Sequence, residues 1–237
     1  MIALVDVNNF YVSCERLFNP KLLNKPVVVL SNNDGCIISR SNEAKLLGIE
    51  MGAPLFKIRN LVKSSNIIVL SSNYTLYADI SNRTMVLLGS FSPQQEIYSI
   101  DECFLNLAGD RDLYGTGRII KNFLWQYLDM PVCVGIAPTK TLAKLANYFA
   151  KKQPEWSGVC DFSKLSTTRI DNTISKINVS EVWGVGNKTA NKLIAMGIHS
   201  VLDLKKSNAI FIKKKSIHLS IILCFLTPLE WMINGVK

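Results

Sequence analysis

EIYSIDECFLNL, residues 96–107, is apolar and β-prone on both sides of an acidic pair, Asp101-Glu102. Tyr98–Leu107 reads as a strand, and carboxylates inside it lose hydration unless something pairs with them. A second acid, Asp6, closes the apolar run 2–5 in the same way. Two carboxylates about 4 Å apart repel by roughly 1–4 kcal/mol at effective dielectrics of 80 to 20, a penalty that a divalent cation reverses. Oxygen-only ligands select Mg²⁺ or Mn²⁺ over zinc. The competing reading of an acidic pair at a strand end is a solvated turn. On a regular strand successive side chains face opposite sides, so Asp101 and Glu102 share one metal only if the backbone turns there. Asp101 is therefore the safer ligand of the two.

Outward from this stretch, Ile2–Val7, Val27–Leu30, Ile67–Leu70 and Val132–Ile136 also read as strands. Asn42–Leu47, Tyr77–Leu88, Arg118–Leu128 and Lys140–Lys151 carry helical apolar spacing. The mixture is α+β rather than a clean doubly wound sheet. From about Leu165 the strand signals stop, and short helices are broken by Gly184, Gly186 and Gly197, which marks a subdomain boundary. Within VWGVGNKTANKLIAMGIHSVLDL, residues 182–204, Gly184-x-Gly186 opens one helical pattern and Gly197 separates a second. This resembles a helix-hairpin-helix, whose glycines let a phosphate approach backbone N–H groups without any reading of base sequence. An ordinary pair of antiparallel helices is the alternative.

The bulk properties set limits. At 237 residues, 48% hydrophobic and 19% charged, the chain is long enough for two or three packed subdomains and does not read as disordered. Its net charge of +9 is uneven: residues 1–165 hold 17 basic against 14 acidic side chains, and 166–237 hold 10 against 4. That asymmetry suits an anionic polymer, although a solubility role explains it equally. The six cysteines are scattered with no CxxC pair, so zinc and dithiol redox chemistry lack support and reduced thiols in a cytoplasmic protein are expected. An aspartate at position 6 argues against a signal peptide. Ile217–Ile233 is apolar but holds His218, Pro228 and Glu230, which argues against a membrane span, and Lys213–Lys215 reads as a solvated charge run. With only His199 and His218, histidine-assisted acyl transfer is poorly supported.

Six blocks in order, DVNNFYVSCE (6–15), KPVVVLSNNDGCIISRSNEAKLLGI (25–49), SSNYTLYADISNR (71–83), EIYSIDECFLNL (96–107), GIAPTKTLAKLANYFAKK (135–152) and the glycine hairpin, resemble the Y-family of translesion DNA polymerases in its bacterial and plasmid-borne UmuC-type branch. The match runs from residue 1 to about 204. The resemblance implies a right-hand polymerase: a ferredoxin-like palm at 1–25 and 76–165, inserted fingers at 26–75, and a helical thumb with the helix-hairpin-helix at 166–206. The family's little-finger domain is expected to be absent, and 207–237 to be an aberrant tail of a truncated or frame-disrupted product.

The same resemblance implies error-prone translesion synthesis in the SOS response by two-metal nucleotidyl transfer, with two Mg²⁺ ions (Mn²⁺ possible) held by Asp6, the main-chain carbonyl of Val7, Asp101 and Glu102. It also supplies the turn at Asp101-Glu102 by analogy. Tyr11 corresponds to the steric gate that excludes a 2′-hydroxyl, a core tyrosine being the alternative. Phe10, Tyr11, Ser39, Arg40, Lys45 and Lys151 are the implied nucleotide contacts. The family often has a tyrosine and an arginine where this chain has Asn42 and Lys45, and a lysine offers a point charge in place of a fork. Gly184, Gly186 and Lys188 are the implied DNA contacts. Implied partners are damaged primed template DNA, dNTPs, a UmuD′-type accessory subunit, a RecA filament and a sliding clamp. Two other classes remain: a truncated remnant that binds DNA or polymerase partners without synthesis, and a different two-metal enzyme, such as a nuclease or cyclase, which leaves Tyr11 and the hairpin unexplained.

Overall fold

The computed structural model describes residues 1–208 and Ile212. Most of the expected tail at 207–237, including Lys213–Lys215 and Ile217–Ile233, lies outside the described residues.

The chain opens with β1 (Ile2–Val7), buried along its whole length, then turns through Asn8-Asn9 into α1 (Phe10–Phe18). Asn9 takes a left-handed conformation at φ 50°, which an asparagine tolerates better than most residues. There follow β2 (Val27–Leu30), β3 (Ile37–Arg40), α2 (Asn42–Leu46), α3 (Arg59–Ser64) and β4 (Ile68–Leu70). Next come α4 (Tyr74–Gly89), β5 (Gln95–Ile97), β6 (Glu102–Asn106), α5 (Leu113–Leu128), β7 (Val132–Ala137), α6 (Lys140–Lys152) and β8 (Val159–Asp161). The described part ends with α7 (Thr167–Ile174), α8 (Asn187–Ala195) and α9 (Val201–Lys206).

Two sheets form: a five-stranded one in the order β5-β6-β1-β7-β8 and a three-stranded one in the order β3-β2-β4. The stretch read as one strand at Tyr98–Leu107 is instead the end of a hairpin, with residues 98–101 turning between β5 and β6. Strands β3, β5 and β8 and helices α1 and α3 were not anticipated. The other predicted strands and helices are present, with ends shifted by a few residues and α5 starting earlier than Arg118. No helix among the described residues is long and apolar enough to cross a membrane.

Two compact units divide the chain. The first comprises Met1–Val5, Phe104–Ile119 and the described residues from Cys133 onward. Its core joins Leu4, Phe104, Phe149, Phe162, Leu193 and Leu204. Here the block GIAPTKTLAKLANYFAKK has a structural meaning. Thr139 caps α6 by accepting from Leu142 N, and a Cβ on Gly135 would lie 2.1 Å from Asn147 N and 2.3 Å from Ala143 O. Strand β7 can therefore approach the α6 backbone only because residue 135 has no side chain. The buried Asn147 amide seals this contact, donating to Cys133 O at 2.8 Å and to Leu4 O at 3.4 Å.

The second unit comprises Asp6–Cys103 and Ile120–Val132. Strand β2 pairs antiparallel with β3 and parallel with β4, and the small sheet buries Val28, Leu30, Ile37, Ala44, Ile49 and Ile67 in a core of its own. Ser41 ties the start of α2 to this sheet: its hydroxyl accepts from Val27 N and Ala44 N and donates to Lys25 O. Arg16 of α1 anchors the same region through Glu43 at 2.9 Å and the carbonyls of Leu22 and Lys25.

Candidate active site

The acidic residues gather at one end of the β1/β6 pairing. Val7 N donates to Asp101 O at 3.0 Å, and at the far end Leu107 N donates to Met1 O at 2.8 Å. The two strands therefore run antiparallel, and the register set by both bonds places Asp6 opposite Glu102 on one face. Like charges directly opposite each other repel. Asp6 is buried at 8% exposure, whereas Asp101 and Glu102 are half-buried.

The turn at 98–101 frees Asp101 from strand alternation. Tyr98 N and Ser99 N both donate to Glu102 O, at 3.0 and 3.1 Å. The Ser99 hydroxyl accepts from Glu102 N at 3.1 Å and donates to Asp101 Oδ1 at 2.7 Å, so one short side chain both closes the turn and orients the carboxylate. Sequence reasoning passed over Ser99. Its signal is a serine just ahead of an acidic pair, in a position to form a serine turn.

The donor set fits a hard divalent cation, since the three carboxylates and the Val7 carbonyl offer only oxygen. Among the described residues, however, no group of three or more His, Cys, Asp and Glu side chains is assembled to hold a metal. Such a set suits Mg²⁺, which takes one or two carboxylates and completes its shell with water and substrate phosphates.

Tyr11 lies in the first turn of α1. Its ring stacks on Tyr77 with centroids 4.5 Å apart and planes at 23°, and Tyr74 meets both rings edge-on. Burial, then the neighbouring Tyr74 and Asp101, hold its hydroxyl above the ordinary tyrosine range, so the ring is neutral at physiological pH and within electrostatic reach of Asp101. Phe10, beside it, is buried. Tyr77 was read only as the start of a helix, and neither it nor Tyr74 as a partner of Tyr11; their spacing of three residues on a helix was the available signal.

The expected triphosphate contacts are less uniform. Lys45 donates to Asn9 Oδ1, while Asn9 Nδ2 donates to Asn42 Oδ1 at 3.0 Å, linking α2 to the β1–α1 turn. Ser39 is buried and its hydroxyl accepts from Val12 N at 3.4 Å. Arg40 donates from Nη1 to Ile49 O, and its Nε is buried without a partner. Both side chains are thus engaged inside the second unit. Lys151 is exposed in the last turn of α6, in the first unit. Gly184, at φ 84°, and Gly186, which caps α8, precede the exposed Lys188. A separate cavity of about 240 Å³ is lined by Asn8, Asn9, Arg16, Asn42, Trp125 and Asp129, and the three acids do not border it.

Residues 5–148 match the family described as "impB/mucB/samB family". The chain belongs to that family. It is 48% identical to protein UmuC of Salmonella typhimurium over 94% of its own length and 53% of that protein's. It is also 31% identical to DNA polymerase IV of Saccharolobus solfataricus, covering 86% of this chain and 58% of that one. This family member therefore spans about half the length of the curated relatives it matches. Among solved structures, the insertion ternary complex of Dbh DNA polymerase superposes with a TM-score of 0.79 at 27% identity, covering 94% of this chain and 66% of that one. DinB from Sulfolobus solfataricus gives 0.76 at 26% identity, covering 100% and 69%. The mixed α/β architecture is that of the Y-family palm and fingers.

Proposed function

We propose that this chain carries the catalytic core of an error-prone DNA polymerase: template-directed nucleotidyl transfer onto a primer, serving translesion synthesis in the SOS response to DNA damage. The observation that carries this reading is the Val7–Asp101 main-chain bond with the turn behind it, which sets Asp6 opposite Glu102 and puts Asp101 in the adjoining turn, within electrostatic reach of Tyr11. Bound Mg²⁺ supplies the charge that lowers the primer hydroxyl pKa and stabilises the pyrophosphate leaving group. In this reading Asp6, Asp101 and the Val7 carbonyl hold the cations, Glu102 completes the set, and Ser99 keeps Asp101 aimed. Tyr11 closes the space beneath the sugar and selects deoxynucleotides.

The three-stranded sheet and its own core serve as fingers, residues 26–75, and the remaining first 165 residues as palm. Triphosphate contacts fall first to Lys45, with Ser39 and Arg40 shaping the frame that presents it; a contact from Lys151 is proposed from family membership alone. In the thumb, 166–206, α8 and α9 form a helix-hairpin-helix in which Gly184, Gly186 and Lys188 meet the DNA backbone. The similar Dbh DNA polymerase structure is an insertion ternary complex, which supports primed template and dNTP as ligands. A UmuD′-type subunit, a RecA filament and a sliding clamp are proposed from family membership alone.

The test is extension of a primed, abasic-site template by the purified chain with dNTPs. Incorporation that stops with EDTA and resumes with excess Mg²⁺ supports the proposal. Salt-sensitive DNA binding with no incorporation under any divalent cation refutes it and leaves a binding function.

A further inference from the structure

We propose that Tyr77, braced by Glu15, is the positioning residue that holds the Tyr11 ring at the height where it discriminates between sugars; this rests on the reading of Tyr11 as the gate. A gate made of a ring excludes a hydroxyl only if the ring cannot recede, and a shift of about 1 Å in a positioned group is enough to change a reaction by orders of magnitude. What lies behind Tyr11 therefore decides its selectivity.

Phe10, Tyr74 and Tyr77 all meet the ring, and Tyr77 is the one stacked on its face. Tyr77 is fully buried at 0% exposure and lies nearly parallel to Tyr11, at 4.5 Å and 23°. Its hydroxyl donates to Glu15 Oε1 at 2.7 Å. Glu15 follows Tyr11 by four residues on α1, so both project from one face of that helix. Tyr77 thus spans from the ring it supports to an anchor one turn further along the same helix. Tyr74 packs edge-on against both rings at 6.0 and 6.1 Å, which blocks sideways slip. A tyrosine that merely filled the core would also need a partner for its hydroxyl; it would not need to lie parallel on a half-buried ring with that partner on the same helix as the ring.

The experiment measures dissociation constants for a dNTP and the matching rNTP in ternary complexes on a dideoxy-terminated primed template with Mg²⁺, so that no turnover is needed. Tyr11→Ala, Tyr77→Leu, Tyr77→Phe, Glu15→Ala and Glu15→Gln are compared with the parent, and thermal melts confirm folding. Tyr77→Leu and Glu15→Ala are expected to lower the rNTP-to-dNTP ratio by about tenfold, Tyr77→Phe by a smaller factor, and Glu15→Gln, which keeps an acceptor oxygen, to stay near the parent. Parallel weakening of both nucleotides at constant ratio means a purely structural role and overturns the inference. If Tyr11→Ala collapses the ratio while the Tyr77 and Glu15 variants leave it intact, the gate stands and its bracing falls. If Tyr11→Ala leaves the ratio unchanged, or the chain binds neither nucleotide, the gate reading fails and takes this inference with it.

Discussion

Asp101 and Glu102 are neighbours in sequence with different geometric reasons for reaching one place: Glu102 opens β6 opposite Asp6, while Asp101 sits in the turn that Ser99 closes. Ser99→Ala removes the hydroxyl that serves both carboxylate and turn, and is predicted to slow single-turnover incorporation by about tenfold or more with DNA affinity unchanged, since misplacement acts on the reacting geometry. Rapid-quench assays with a parallel DNA titration check this. The acids themselves were legible, because Asp6 and Asp101 interrupt runs that otherwise bury apolar surface. The turn came only from the family resemblance, because Tyr98 and Ile100 are as β-prone as the strands around them and only the Ser99 bonds distinguish it. Tyr77 was legible only as a helical core position. Its partnership with Tyr11 and Glu15 depends on how α4 packs on α1, which no local pattern encodes.

At the scale of elements, the contact of β7 with α6 rests on Gly135, whose missing Cβ would lie 2.1 and 2.3 Å from backbone atoms of α6. Backbone cannot step aside as a flexible side chain can. Gly135→Ala is therefore predicted to destabilise by about 3 kcal/mol or more, or to prevent folding, whereas Gly48→Ala, where a Cβ meets nothing within 4 Å but φ is +77°, costs about 1 kcal/mol. Urea titrations of the two variants separate them. Ser200 and Asp203 form a reciprocal capping box on α9, and Ser200→Ala is predicted to cost about 1 kcal/mol. The strong helical periodicity of α6 and the β-branched runs of β1, β2 and β7 made these elements readable in advance. Helix α1 was missed because it is short and begins after two asparagines, one of them left-handed. Strand β3 was missed because it follows the polar cluster SNNDG and its own last residues, Ser39 and Arg40, open the polar run SRSNE, and its pairing with β2 is set by tertiary contact.

For the molecule as a whole, the buried thiols report on folding. Burial, ahead of nearby carboxylates, pushes Cys14 and Cys160 up to about 12 and Cys103 up to about 11. A thiol in the unfolded chain titrates near about 8.5. The folded state thus holds protons that the unfolded state releases, and the stability this contributes is complete below that pH and is lost as pH rises toward the folded values. The urea midpoint is predicted to be unaffected by these thiols between about pH 6 and 8 and to fall above about pH 9. Cys36, the half-buried one of the five described cysteines, is predicted to alkylate ahead of the other four at pH 8, as peptide mapping would show. The central claim, that the acids at the β1/β6 strand end perform nucleotidyl transfer, is tested most directly by single-turnover primer extension with Mg²⁺ for this chain and its Asp101→Ala variant. Incorporation by the parent and a loss of at least about a thousandfold in the variant, with DNA binding retained, are expected; equal rates for both proteins, or none for either, would overturn the assignment of these acids.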